Sequence, residues 1–185
     1  MSTITLRRIG RLVPAVLTVL TTASVPSAAS AATGCAGRDR SPAELGAPAS
    51  RAATLCVLNA KRRAHGLRPL REATKLARAA RRHSRDMVAH TYFAHESRSG
   101  AGFSARIART GWTHGRDRWM VGENIAWGIG ARSTPRAIVA SWMASPGHRA
   151  NILQRRFRVI GIGVANGVPV AGGGTGATYT TDFGS

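Results

Sequence analysis

Helix-type periodicity comes first in this sequence and the two longest strand-type runs come last. That order constrains the fold more than any other feature, because it excludes alternating βαβ units and leaves an α+β layered domain. Ser50 is placed to cap a helix over about 51–64, ended by Gly66. A second helix over about 72–90 carries Leu76, Ala80, His83 and Met87 on one stripe, and its other faces carry Arg78, Arg81, Arg82 and Arg85. A short helix near 103–110 turns Phe103 and Ile107 inward. Ser133 or Thr134 caps a fourth, with Pro135 in its first turn and Ile138, Val139 and Trp142 facing in. The strand-like runs are 159–165 and 177–183, joined through Gly172, Gly173 and Gly174. No internal repeat is visible.

The N-terminus reads as an export leader. Arg7, Arg8 and Arg11 precede an apolar run from Leu12 to Val25, and Ala29-Ser30-Ala31 fits a small-residue cleavage site. Residues 1–31 are therefore expected to be a signal peptide, 32–50 a Gly-, Pro- and Ser-rich arm, and 51–185 one domain. No later apolar stretch is long enough to span a membrane. Cys35 and Cys56 are the two cysteines, and in an exported chain their default is one disulfide. Closing that loop is worth about 3 kcal/mol in the chain-entropy picture.

The full chain holds 27 basic and 8 acidic residues. Such a surface attracts polyanions, including anionic cell-envelope polymers and lipid heads. No run of aromatics interleaves with the arginines, so a sequence-specific nucleic-acid binder is not indicated. A secreted nuclease using the positive charge remains a third class, one that predicts salt-sensitive DNA binding with cleavage.

Chemistry concentrates in two stretches. Ser145-Pro146-Gly147-His148 puts a histidine just after a Pro-Gly turn, and Gly122-Glu123-Asn124-Ile125 traps a carboxylate in an apolar strand-like run. A carboxylate amid Val121, Ile125 and Trp127 needs a partner, and a histidine would serve. His95, His148 and Glu123 would make a zinc-like site with an open position for water, provided the fold unites them. Ser145 and His148 also permit a nucleophile-and-base reading with Glu123 as orienter, although Ser145 has a second use capping the turn before Pro146. Both histidines could instead hydrogen-bond loops, but the need of the Glu123 carboxylate for a partner favours a cavity role. His83, on an apolar stripe, reads as a buried, satisfied histidine; His90 and His114 read as surface residues. Arg149 and Asn151 read as packing and capping residues around His148.

Taken in order, these landmarks resemble the CAP superfamily, the SCP-like extracellular domain, in its bacterial secreted form. The matching residues begin with Leu58-Asn59-Ala60-Lys61-Arg62-Arg63 and His83-Ser84-Arg85-Asp86-Met87. Tyr92-Phe93-Ala94-His95, Gly122-Glu123-Asn124-Ile125-Ala126 and the Trp142 to Leu153 block follow, then Ile160-Gly161-Ile162-Gly163 and Asp182-Phe183-Gly184. The resemblance implies a three-layer α-β-α sandwich with a small antiparallel sheet between helical layers. It also implies an open cavity lined by two histidines, matched to His95 and His148, and by acids, the first matched to Glu123. The family's second acid falls three residues after the helix tryptophan, where this chain has Ser145. A hydroxyl is a poorer metal ligand than a carboxylate, so the departure weakens the case for a bound divalent metal such as zinc.

Two function classes follow. One is a secreted or cell-wall-associated binding or interaction module for a small apolar, lipid or cell-envelope ligand. The other is a secreted metal-assisted hydrolase of peptide, ester or phosphodiester bonds. Losing the second acid favours binding.

Overall fold

The closing runs of the sequence form the centre of the sheet, and the helices that precede them cover its two faces. In the computed structural model, residues 34–185 are described; the expected leader at 1–31 and the expected mature start near Ala32 lie outside them. The chain runs α1 (Pro42–Leu45), α2 (Ala47–Ala64), β1 (Arg71–Glu72), α3 (Thr74–Ala89) and α4 (Phe103–Ala108). It continues through β2 (Val121–Ile129), a 3-10 turn (Gly130–Ser133), α5 (Pro135–Ala144), α6 (Pro146–Leu153), β3 (Val159–Asn166) and β4 (Gly176–Gly184). Sheet order is β1-β3-β4-β2, so β2 is an edge strand. β4 pairs antiparallel with both β2 and β3, while the two-residue β1 adds to β3 in parallel.

Between α2, α5, α6 and one face of the sheet lies the larger core, which includes Leu58, Val139, Trp142, Ile160, Tyr179 and Phe183. Trp142 is almost fully buried, and its indole N–H donates to the Ile125 carbonyl at 3.0 Å, so α5 is both packed and pinned against β2. Truncating such an anchor typically costs about 3–5 kcal/mol. On the opposite face Leu76 and Ala79 of α3 pack with Ile107 of α4 and Trp112. The Ile-Gly-Ile-Gly run explains how tightly α3 sits. A Cβ on Gly161 would fall 2.0 Å from the Ala77 nitrogen, and one on Gly163 would fall 2.2 Å from the Ala80 oxygen. These glycines let the helix backbone rest on β3. The expected α-β-α sandwich is thus the observed architecture.

Two boundaries differ from the sequence reading. Residues 42–45 and 47–50, expected within the arm, are helical: α2 starts at Ala47 with Pro48 in its first turn. Ser50 is therefore inside the helix, and its hydroxyl donates back to the Gly46 carbonyl at 2.9 Å instead of capping. The second helix starts at Thr74, because Arg71 and Ala73 N–H groups donate to the Arg158 and Ile160 carbonyls and draw that segment into the sheet. Thr134, of the two candidates, caps α5 by accepting from the Ala137 N–H at 3.3 Å. Gly66 ends α2 as expected, in the left-handed conformation at φ +67°. Cys35 and Cys56 form the expected disulfide, tying the segment before α1 to α2.

Arg62, near the end of α2, is completely buried. Its guanidinium donates to the carbonyls of Arg68 at 2.9 Å, Ile152 at 2.7 Å, Gln154 at 3.1 Å and Phe157 at 3.3 Å. One side chain thereby closes the ends of α2 and α6 onto the entry to β3.

Candidate functional site

Glu123 sits on β2, and strand alternation turns it toward the face covered by α3 and α4. Its side chain is fully buried, yet both carboxylate oxygens are engaged. Oε1 accepts from His95 Nδ1 at 2.8 Å, and Oε2 accepts from an Arg106 guanidinium N–H. Arg106 comes from α4. Its Nη1 also donates to the carbonyls of His95 at 2.6 Å and Ala101 at 3.0 Å, so it braces the loop that presents His95 as well as the acid that orients it. His95 itself stands at the surface, with its side chain 44% exposed.

The charges follow from this geometry. Burial pushes the Glu123 carboxyl up. The His95 hydrogen bond and the Arg106 charge outweigh it, and hold the carboxyl below the ordinary carboxylate value. The hydrogen bond to Glu123 raises His95 above the ordinary imidazole value despite partial burial. Directly across the β2–β4 pair stands Asp182, nearly fully buried, with no donor group on either carboxyl oxygen. Burial first, and the neighbouring Glu123 charge second, push its carboxyl well above the ordinary value. Of two adjacent acids, then, Glu123 is the one that keeps its charge and Asp182 the one that takes up a proton first as pH falls.

His148 is the third residue of α6. Its Nδ1 lies 2.9 Å from Ser145 Oγ, and its carbonyl accepts from Asn124 Nδ2 at 3.1 Å. Burial and the nearby His95 charge lower its pKa, so of the two rings it gives up its proton first as pH rises. Ser145 makes no side-chain cap: the hydroxyl expected to cap the turn faces the His148 ring. Asn151 does more than pack around His148. Its amide donates to the Glu123 carbonyl at 3.1 Å and to Asn124 Oδ1 at 2.9 Å, fastening α6 to β2. Arg149 reaches the His65 ring at the surface.

The structure therefore joins His95 to Glu123 and Ser145 to His148, as two separate pairs. A Ser145–His148–Glu123 relay is not assembled, because both Glu123 oxygens belong to His95 and Arg106. Nor do His95, Glu123 and His148 fit a three-ligand metal centre. Glu123 lies behind the His95 ring on Nδ1, as an orienting partner, and the described residues contain no metal-holding group of three or more His, Cys, Asp or Glu. Neither Nε2 has a protein partner among the described residues.

Trp127, expected beside the carboxylate, is 37% exposed further along β2. His83, expected to be buried and satisfied, is only half so: Nε2–H donates to the Ala94 carbonyl at 2.9 Å, and Nδ1 has no partner. His90 is a surface residue paired with Asp86, and His114 is exposed.

Arg106 and Asp182 were not singled out from the sequence as site residues. Each had a periodic signal. Arg106 follows Phe103 by three positions, on the inward face of α4. Asp182 alternates with Phe183 on β4, which puts it on the face of Glu123.

A cavity of about 250 Å³ adjoins the cluster. Its lining includes Arg106 and His83 but neither His95 nor His148.

An α-β-α sandwich with an acid-oriented histidine beside the edge strand, and a second histidine from the opposite layer, defines an SCP-like domain. CAP, the cysteine-rich secretory protein family, matches residues 55–171, and the chain belongs to this family. It is similar to the uncharacterized protein YkwD of Bacillus subtilis (strain 168), 39% identical over 108 residues, which make up 58% of this chain and 39% of that one. Among solved structures it is similar to an extracellular protein containing a SCP domain from Bacillus anthracis str. Ames. That match has a TM-score of 0.57 and 29% identity over 70% of this chain and 38% of the other. An outer surface protein of Borrelia burgdorferi shares the fold at a TM-score of 0.55 and 17% identity, over 70% of this chain and 86% of that one. The chain thus spans well under half the length of the two Bacillus proteins. Among the described residues no helix is long and apolar enough to cross a membrane.

Proposed function

We propose that this chain is an extracellular binding module, exported by the leader at 1–31 and drawn to an anionic cell envelope by its basic surface. The polar end of its ligand is received by the Nε2 atoms of His95 and His148, and the ligand itself is a small apolar, lipid or envelope molecule. One observation carries this reading: Glu123 is committed to His95 and Arg106. That arrangement keeps His95 a fixed, readily protonated donor and gives His148 no acid to make it a base. Strand alternation places Trp127 and Ile129 on the Glu123 face of β2, both exposed, and they offer an apolar surface beyond the polar group. The extracellular and outer-surface descriptions of similar structures support the location.

The test is calorimetric titration of long-chain fatty acid and of solubilised envelope fragments into the wild type and a H95A/H148A variant, with product analysis in parallel. Binding should weaken about tenfold or more in the variant, as loss of charge-assisted hydrogen bonds requires, and no bond should be cleaved. Unchanged binding, or hydrolysis abolished by Ser145→Ala, would refute the reading in favour of a scaffold or a hydrolase respectively.

A further inference from the structure

The turn between α6 and β3 carries a surface that the site above does not use. Arg155 and Arg156 are consecutive and exposed there, and each lines its own cavity of about 230 Å³. Arg156 shares the first with Arg118, Trp119, Met120 and Ser185. Arg155 shares the second with Gly66, Leu67, Arg68 and Arg158. Consecutive Cα atoms lie only about 3.8 Å apart, so the two hollows are neighbours on either side of one turn.

Neither lining holds an acidic side chain. The guanidinium groups of Arg68, Arg118, Arg155 and Arg156 make neither hydrogen bond nor ion pair among the described residues. The ion pairs of those residues reach Asp39, Asp86 and Glu123, none of which lines either hollow. Arg158 differs: its Nη1 donates to the Arg156 carbonyl at 3.2 Å and the Phe157 carbonyl at 3.1 Å, bracing the turn that presents the others. Guanidinium groups gathered without counter-ions repel one another, and a bound anion relieves that repulsion. The planar fork of arginine matches the oxygens of a phosphate two at a time.

The shape narrows the partner. Two hollows side by side take separate anionic groups strung on one chain, whereas a flat bilayer would meet only their rims. Trp119, 45% exposed beside Arg118, offers an apolar face to the carbon link between two such groups. The linings hold no second aromatic ring, and a stacked nucleic-acid strand would use several.

We infer that the turn at 155–156 and its two hollows form a docking surface for a linear phosphodiester polymer with aliphatic links, such as a poly(glycerol phosphate), one phosphate entering each hollow. This deepens the proposed attraction to an anionic envelope and rests on it for its setting. It is separate from the His95–His148 position, since neither histidine lines a hollow.

The experiment is calorimetric titration of the folded protein with poly(glycerol phosphate), with monomeric glycerol phosphate and with poly(glutamate), at matched ionic strength and neutral pH. The polymer should bind about tenfold or more tighter than the monomer, because the second phosphate enters from an already tethered chain. Poly(glutamate) should bind more weakly. R118A/R156A and R68A/R155A, each altered only at exposed positions, should each lose about tenfold or more of the polymer affinity and flatten its salt dependence. Trp119→Ala should lose about threefold. The control R82A/R85A, with the same charge change on α3, should lose less than about twofold. H95A/H148A should bind the polymer as the wild type does, so failure of this inference and failure of the small-ligand reading fall on different variants. Equal losses in R82A/R85A, poly(glutamate) binding as tight as the polymer, or a polymer no better than its monomer would overturn the inference and leave diffuse surface charge. A single-stranded oligonucleotide binding more tightly through the same arginines would overturn it in favour of nucleic acid. Phosphatidylglycerol vesicles that bind there and that the polymer fails to displace would overturn it in favour of a membrane surface.

Discussion

Two buried arginines in this chain do opposite work. Arg62 is wholly enclosed, and all its acceptors are backbone carbonyls. Arg106 is nearly as buried, but it also holds a carboxylate whose other oxygen grips a surface histidine. The first ties three chain segments together with acceptors that never titrate. The second sits in a chain of ionisable groups that ends at solvent. Burial of a charge by itself therefore does not mark a site here; the identity of the acceptor does.

This contrast can be broken in four places. Arg62→Ala should have the largest effect, about 3–5 kcal/mol of stability, since it leaves several buried carbonyls short of donors. Urea unfolding would measure it, with the loss independent of pH. Glu123→Gln should cost about 2–4 kcal/mol, because Arg106 becomes a buried charge without its counter-ion. That loss depends on pH. Glu123 has a lowered pKa, so its contribution is present above the ordinary value of 4.5 and fades as pH falls through the lowered one. His95 has a raised pKa, so its share is complete below 6.5 and is lost as pH rises through the raised value. The pair is thus worth most between those limits.

Asp182→Asn should move the other way. A buried acid with a raised pKa contributes fully only below its ordinary value of 3.8, and that contribution is lost as pH rises. The variant should gain about 1 kcal/mol or more near neutral pH, with the gain vanishing in acid. His95→Ala should be the smallest, under about 1 kcal/mol, because the His95 side chain is 44% exposed and Glu123 keeps Arg106 as its counter-ion. A loss as large as that of Arg62→Ala would put His95 in the scaffold and erase the distinction.

The layered fold was legible because it rests on local signals: the stripe of α3, the Pro135 start of α5, and two apolar runs at the end. The Ile-Gly-Ile-Gly run was visible as a motif, but the close approach of α3 that requires it is a tertiary fact. The His95–Glu123 contact followed from a simple need, a partner for a buried carboxylate. Arg106 stayed hidden among 25 arginines, because its one local signal, the spacing of three from Phe103, falls in a helix of only six residues. The boundary at Thr74 escaped because backbone hydrogen bonds from Arg71 and Ala73 to a distant segment decide it.

The central claim is that Glu123 orients His95 and leaves His148 alone. NMR titration of the imidazole resonances tests it most directly. The account predicts that His95 titrates above 6.5 and His148 below it, and that Glu123→Gln brings His95 down while scarcely moving His148. Two histidines titrating together at the ordinary value, or a His148 that shifts with Glu123 while His95 does not, would contradict it.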